Sequence, residues 1–287
     1  MIKKAIVTFA VLFCAHLALV LFKPALGKTT HQWQDNVVKA QTYLFKNQVD
    51  SVIVGSSLSS RIICDSIPSL MSLAFDGCSV EDGLRIIMEK KNKPQFVLIE
   101  SNFFLRDGSP QLFLSQTNPL LCKIRELIPS LREKYQPICI FSHLFRKLMG
   151  NYINGEIKNK EIILNKEIER RLSEKKDSLD NIRLSNRLNT LKAMMNSLEK
   201  QGVKFVFFEM PINERLYDIE NNVQTRRVVK LHFLPDQYSF LPSDTTKYLT
   251  TDGIHLGDRE ARIYSHYLKN QLKQNEHKKS VGVEKFK

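Results

Sequence analysis

Short unbroken apolar runs alternating with stripes at helical spacing predict an α/β chain, a three-layer doubly wound parallel sheet. Three observations carry that expectation. The runs Val52-Ile53-Val54, Leu70 to Phe75, Phe96 to Ile99 and Val203 to Phe208 show no polar alternation, as expected of parallel strands covered on both faces. Helical stripes lie between them, Val80, Leu84, Ile87 and Met88 before the third run and Leu184, Leu188, Leu191, Met195 and Leu198 before the fourth. Each run ends in small or polar residues: Gly55-Ser56-Ser57, Asp76-Gly77, Glu100-Ser101-Asn102 and Glu209 to Asn213. These ends would meet at the carboxyl edge of the sheet, where open α/β sheets bind ligands.

The 287 residues, 43% hydrophobic and 25% charged, suffice for one sizeable core with an appendage. A formal net charge of +13 suits nucleic acid, an anionic membrane surface or an anionic polymer, and does not choose among them. The amino terminus narrows the choice. Lys3 and Lys4 precede Ala5 to Phe22, a stretch without formal charge in which Thr8 and His16 are the distinctly polar members. It approaches the membrane-spanning length of about 20 and exceeds the usual signal-peptide core of about 7 to 15. Residues 1–27 therefore read as an uncleaved signal anchor, with removal at Ala25-Leu26-Gly27 as the alternative. Basic residues ahead of the span place the amino end inside, and the remainder in the periplasm, which argues against nucleic acid as a partner.

Residues 28–50 read as a linker and short helix with Trp33, Val37, Val38 and Tyr43 as packing points. An α/β domain is expected over 51–274 and a basic tail over 275–287. Leu58 to Ser66 is expected to leave the first strand as a helical turn ended by Ile67-Pro68, and Ser79 with Asp82 marks a helix start. The alternation lapses over 103–180, read as an insertion of two or more helices that either shapes the site or forms a solvated bracket; within it Leu164, Ile168 and Leu172 repeat every four residues. Gly202 is a helix C-cap candidate, Val228 to Phe233 reads as a short strand, and Leu234 to Thr251 as a loop. Asp258 is placed as the cap of a last helix directing Ile263, Tyr264, Tyr267, Leu268 and Leu272 to the core. Cys14, Cys64, Cys78, Cys122 and Cys139 have no metal-ligand spacing and read as buried thiols, with room for one disulfide. No metal or cofactor is expected.

The loop before the last helix reads Thr251-Asp252-Gly253-Ile254-His255. A serine hydroxyl becomes a nucleophile when an imidazole takes its proton, and a carboxylate holds that imidazole in the required tautomer. Asp252 and His255, three apart on a loop entering a helix, can both aim at a serine in the Gly55-Ser56-Ser57 turn. The developing oxyanion needs fixed donors, which the backbone of Gly77 and the amide of Asn102 can offer.

These four blocks, Gly55-Ser56-Ser57-Leu58, Gly77, Asn102 and Asp252-Gly253-Ile254-His255, resemble those of the SGNH (GDSL-type) hydrolases and acyltransferases. The resemblance implies Ser57 as nucleophile, His255 as general base and then acid, Asp252 as the group orienting His255, and an oxyanion hole from Ser57, Gly77 and Asn102. Ser56 and Ser59 stay open as alternative nucleophiles. The Gly-Ser-Ser form with an anchor is similar to the membrane-tethered branch that includes the teichoic acid D-alanine transfer and alginate acetylation proteins. That branch implies a membrane-anchored esterase or O-acyltransferase acting on an envelope polysaccharide, beside a membrane-bound O-acyltransferase. The other expectation is a catalytically inactive protein of the same fold that binds a glycan or a partner.

Overall fold

The computed structural model describes residues 1–22, 29–67, 69–149, 160–173 and 181–284. In chain order they form α1 (Ile2–Phe22), α2 (Gln32–Phe45), β1 (Ser51–Gly55), β2 (Leu70–Ala74), α3 (Val80–Glu89), β3 (Phe96–Glu100), α4 (Pro110–Thr117), α5 (Pro119–Leu127), α6 (Pro137–Met149), α7 (Lys160–Ser173), α8 (Asn181–Glu199), β4 (Lys204–Phe208), α9 (Glu214–Tyr217), α10 (Glu220–His232), β5 (Ser239–Phe240) and α11 (Asp258–Glu284). The Ala25-Leu26-Gly27 motif, Pro68, parts of the charged run after Glu156 and residues 285–287 of the basic tail lie outside the described residues.

The chain divides into two compact units, Met1–Phe45 with Gln111–Ile157, and Lys46–Pro110 with Lys158–Lys287. The predicted insertion is shared between them: α5 and α6 belong to the first, α7 to the second. In the first unit α2 buries Val37, Ala40 and Tyr43. Its Gln41 donates to Gln116 Oε1 at 2.8 Å and accepts the Glu133 N–H at 2.8 Å, so this buried amide finds both an acceptor and a donor on the later helices and turns.

The second unit is the α/β domain. Its sheet is all parallel in the order β2-β1-β3-β4-β5. Register alternates side chains between the faces. The row Ile53, Leu98 and Val206 joins a core with Ala261, Tyr264 and Leu268 of α11. The row Leu73, Val54, Ile99 and Phe207 takes the opposite face, where Gly83 brings α3 so close that an added Cβ would lie 2.6 Å from Val54 Cγ1. Helices thus cover both faces, as the sequence predicts. The chain leaves β1 toward β2 on one side and resumes at β3 on the other. The order reverses between β1 and β3, which opens a crevice at their carboxyl ends.

Local predictions fare unevenly. Ser79 and Asp82 do form the start of α3, the Ser79 N–H donating to Asp82 Oδ2 at 2.8 Å. Leu188, Leu191, Met195 and Leu198 of α8 are all buried, and Gly202 follows with φ +85°. Val228 to Phe233 is not a strand: it is the end of α10 and its C-cap, because Val229 and Phe233, four apart, are the residues that reach the core. The fifth strand is instead Ser239–Phe240, inside the predicted loop, where Phe240 stacks on Phe207 at 4.9 Å between ring centroids. Asp258 is the first helical residue rather than the cap, and Met88 and Ile263, expected in the core, are exposed at the margins of their stripes.

Candidate active site

Strand β1 ends at Gly55, where a Cβ would lie 2.3 Å from Ser59 Oγ and 2.6 Å from Glu100 Oε2. The crowding has a purpose. Glu100, fully buried at the end of β3, accepts the Ser56 N–H at 2.8 Å, the Ser56 hydroxyl at 2.7 Å, the Ser59 N–H at 3.1 Å and the Ser59 hydroxyl at 2.5 Å. A buried carboxylate is costly unless its lone pairs are met, and four donors meet them. The hydroxyls of Ser56 and Ser59 are thereby committed to Glu100. Neither hydrogen-bonds an imidazole.

Ser57 differs from both neighbours. It is half-buried, and its Oγ lies 2.8 Å from His255 Nε2, while His255 Nδ1 lies 2.8 Å from Asp252 Oδ2. Burial pushes the Asp252 carboxyl up, but the His255 ring, the His255 N–H and the Ile254 N–H outweigh it and hold the carboxyl well below its usual range. An ionised Asp252 can only accept, so Nδ1 donates to it, and in the tautomer that this selects Nε2 can accept from the Ser57 hydroxyl. The Thr251 to Gly257 loop makes this pairing local: Asp252 Oδ1 accepts the His255 N–H at 2.9 Å, and Thr251 N–H donates to His255 O at 2.8 Å. Gly253 permits the turn with φ +91°, and a Cβ there would meet Leu216 and Ile168 at about 3 Å.

No family model and no curated protein matches the chain. The site rests on its own geometry.

A further residue joins it from α7. Arg171 donates through a terminal nitrogen to Asp252 Oδ2 at 3.0 Å and through Nε to the Asp252 backbone carbonyl at 3.1 Å. Two bonds from a rigid guanidinium fix both the side chain and the backbone of Asp252. The sequence leaves this helix open between site and bracket and gives Arg171 no part; an Arg three residues after Ile168, the buried member of the stripe, is the available signal.

The expected oxyanion donors are placed less uniformly. The N–H groups of Ser56, Leu58 and Ser59 all have acceptors, whereas those of Ser57 and Gly77 have none among the described residues. Gly77, exposed on the turn after β2 with φ +75°, follows Asp76, which is hydrogen-bonded to Ser60. Asn102 is tied to β4's exit: its Oδ1 accepts the Met210 N–H at 2.7 Å and its Nδ2 donates to Met210 O at 2.9 Å. One amide hydrogen of Asn102 is thus spoken for and the second is not. Cys78, next to Gly77, is buried, and burial foremost pushes its thiol up to about 12, so it stays protonated and unreactive.

A cleft of about 430 Å³ opens beside these groups, its walls including Leu58, Asn102, Arg106, Arg171, Asn221 and Ile254. Four of the six are site residues or their immediate neighbours in the chain or by hydrogen bond. Arg106 packs over the Phe103 ring at 4.6 Å, and α10 adds further amide side chains.

Proposed function

We propose that the chain is a membrane-anchored serine esterase or O-acyltransferase of the SGNH kind, acting in the periplasm on acyl esters of envelope polysaccharide. The supporting observation is the continuous hydrogen-bonded series from Ser57 Oγ through His255 to Asp252, with both links at 2.8 Å. His255 takes the Ser57 proton as Oγ attacks the ester carbonyl, and the charged imidazole is stabilised by Asp252. The tetrahedral oxyanion is met by the Ser57 and Gly77 N–H groups and the remaining Asn102 amide hydrogen. Collapse expels the alcohol, which takes its proton from His255, and leaves an acyl group on Ser57. Water then yields an esterase; a sugar hydroxyl held in the cleft yields a transferase, with His255 again taking the proton. The apolar α1, long enough to span a bilayer, supports the anchored reading, and a membrane-bound O-acyltransferase is the expected neighbour.

A fluorophosphonate probe tests the nucleophile. Wild-type protein is expected to be labelled on Ser57, and Ser57→Ala and His255→Ala to be unlabelled; label persisting unchanged in Ser57→Ala sinks the assignment. Intact-mass measurement after exposure to activated acetyl esters then separates transfer from hydrolysis, by whether the Ser57 adduct discharges faster to added glycan or to water.

A further inference from the structure

The first unit carries an apolar surface that its own core does not use. Helix α6 buries Cys139 and Ile140 on one side, yet Ile138, Phe141 and Phe145, spaced i, i+3 and i+7, are exposed on the other. At about 100° per residue these three fall within an arc of roughly 60°. Helix α5 buries no residue at all and exposes Leu120 and Leu127, seven apart on one stripe, the latter 73% exposed. Leu114 of α4 is exposed as well. A helix apolar on both sides, or one that buries nothing while showing leucines, is not built for water.

What covers this surface follows from its neighbour in the same unit. Helix α1 packs on the turn Pro129–Leu131, which lies between α5 and α6. Its less exposed stripe is Phe13, His16, Leu17 and Val20, toward the carboxyl end of the apolar span. If α1 crosses a bilayer, a turn packed against that end sits at the membrane surface, and the helices on either side of the turn sit there with it. Charge agrees: over residues 111–149 Lys123, Arg125, Arg132, Lys134, Arg146 and Lys147 outnumber Glu126 and Glu133. Amphipathic helices with basic flanks and Leu/Phe faces partition into the interface of anionic bilayers.

We propose that α5 and α6 form a second, monotopic membrane contact, lying in the interfacial layer with Leu120, Leu127, Ile138, Phe141 and Phe145 among the acyl chains. The occupant is lipid, reached without any partner protein. Trp33 is the sole tryptophan, so Trp33→Phe gives a silent background. The full chain carrying Trp33→Phe with Phe141→Trp is reconstituted in phosphatidylcholine/phosphatidylglycerol vesicles with and without brominated lipid. The expected result is a blue-shifted emission that brominated lipid largely quenches, while N-acetyltryptophanamide in the surrounding buffer stays unquenched. A repeat at Leu127→Trp should behave as Phe141→Trp does. If both probes emit like that aqueous reference in bilayers free of any other protein, the surface serves another protein and the inference falls. Serine labelling of the same samples reads the acyl chemistry separately, so either claim can fail alone.

Discussion

Asp252 accepts hydrogen bonds from the Ile254 and His255 N–H groups, the His255 ring and Arg171. The last two share Oδ2, so the guanidinium draws on the carboxylate charge that would otherwise act on the imidazolium alone. Arg171→Met is expected to lower kcat/KM on the order of tenfold to a hundredfold through misplacement of His255. Arg171→Lys should fall between, and an unchanged kcat/KM in Arg171→Met would show that the arginine merely packs. The serine choice belongs to the same scale. Ser56, Ser57 and Ser59 are chemically alike in the sequence, and only Glu100, 44 residues after Ser56, tells them apart. No spacing rule links a strand-ending glutamate to a serine turn on the next strand, which is why that carboxylate's role was not legible.

At the scale of elements the readable parts were those whose signal is local. Strands β1 to β4 and the buried stripes of α3 and α8 follow from runs and periodicities that each segment carries within itself. Helix α10 departs from its expected strand because the strand propensity of Val228 and Val229 is overridden by where Val229 and Phe233 meet the core. Strand β5 has two residues, too few for any pattern, and exists because Leu241 N–H reaches Phe207 O at 2.8 Å and Phe240 finds Phe207. The contact of α3 with the sheet gives a direct test. A Cβ at Gly83 would lie 2.6 Å from Val54 Cγ1 and 3.0 Å from the Leu73 carbonyl oxygen, the second being backbone that cannot rotate away. Gly83→Ala should therefore destabilise by about 1–3 kcal/mol despite alanine's better helix propensity, measured by urea unfolding.

For the whole molecule, the sequence conveyed the class of fold and the meeting of Ser57 with the Asp252 to His255 loop, 198 positions away. It did not convey the division of 103–180 between two units, since nothing in those residues says which neighbours they will choose. Global stability should report the site. Asp252 titrates below its unfolded value of about 3.9, so its contribution is whole above that pH and drains away as pH falls toward the folded value. Asp252→Asn should thus lower Tm most near neutrality, and the gap to wild type should narrow in acid; a gap constant with pH would mean the loss is of shape and not of charge. The cleft has a longer-range meaning. The hydroxyl, its base and the pinned turn come from the ends of β1 and β3 and the loop before α11, whereas α10 lends only wall residues such as Asn221 and Gln224. On the proposed reading, a descendant lineage can change which molecule the cleft admits by drifting along that helix, leaving Ser57, His255 and Asp252 untouched.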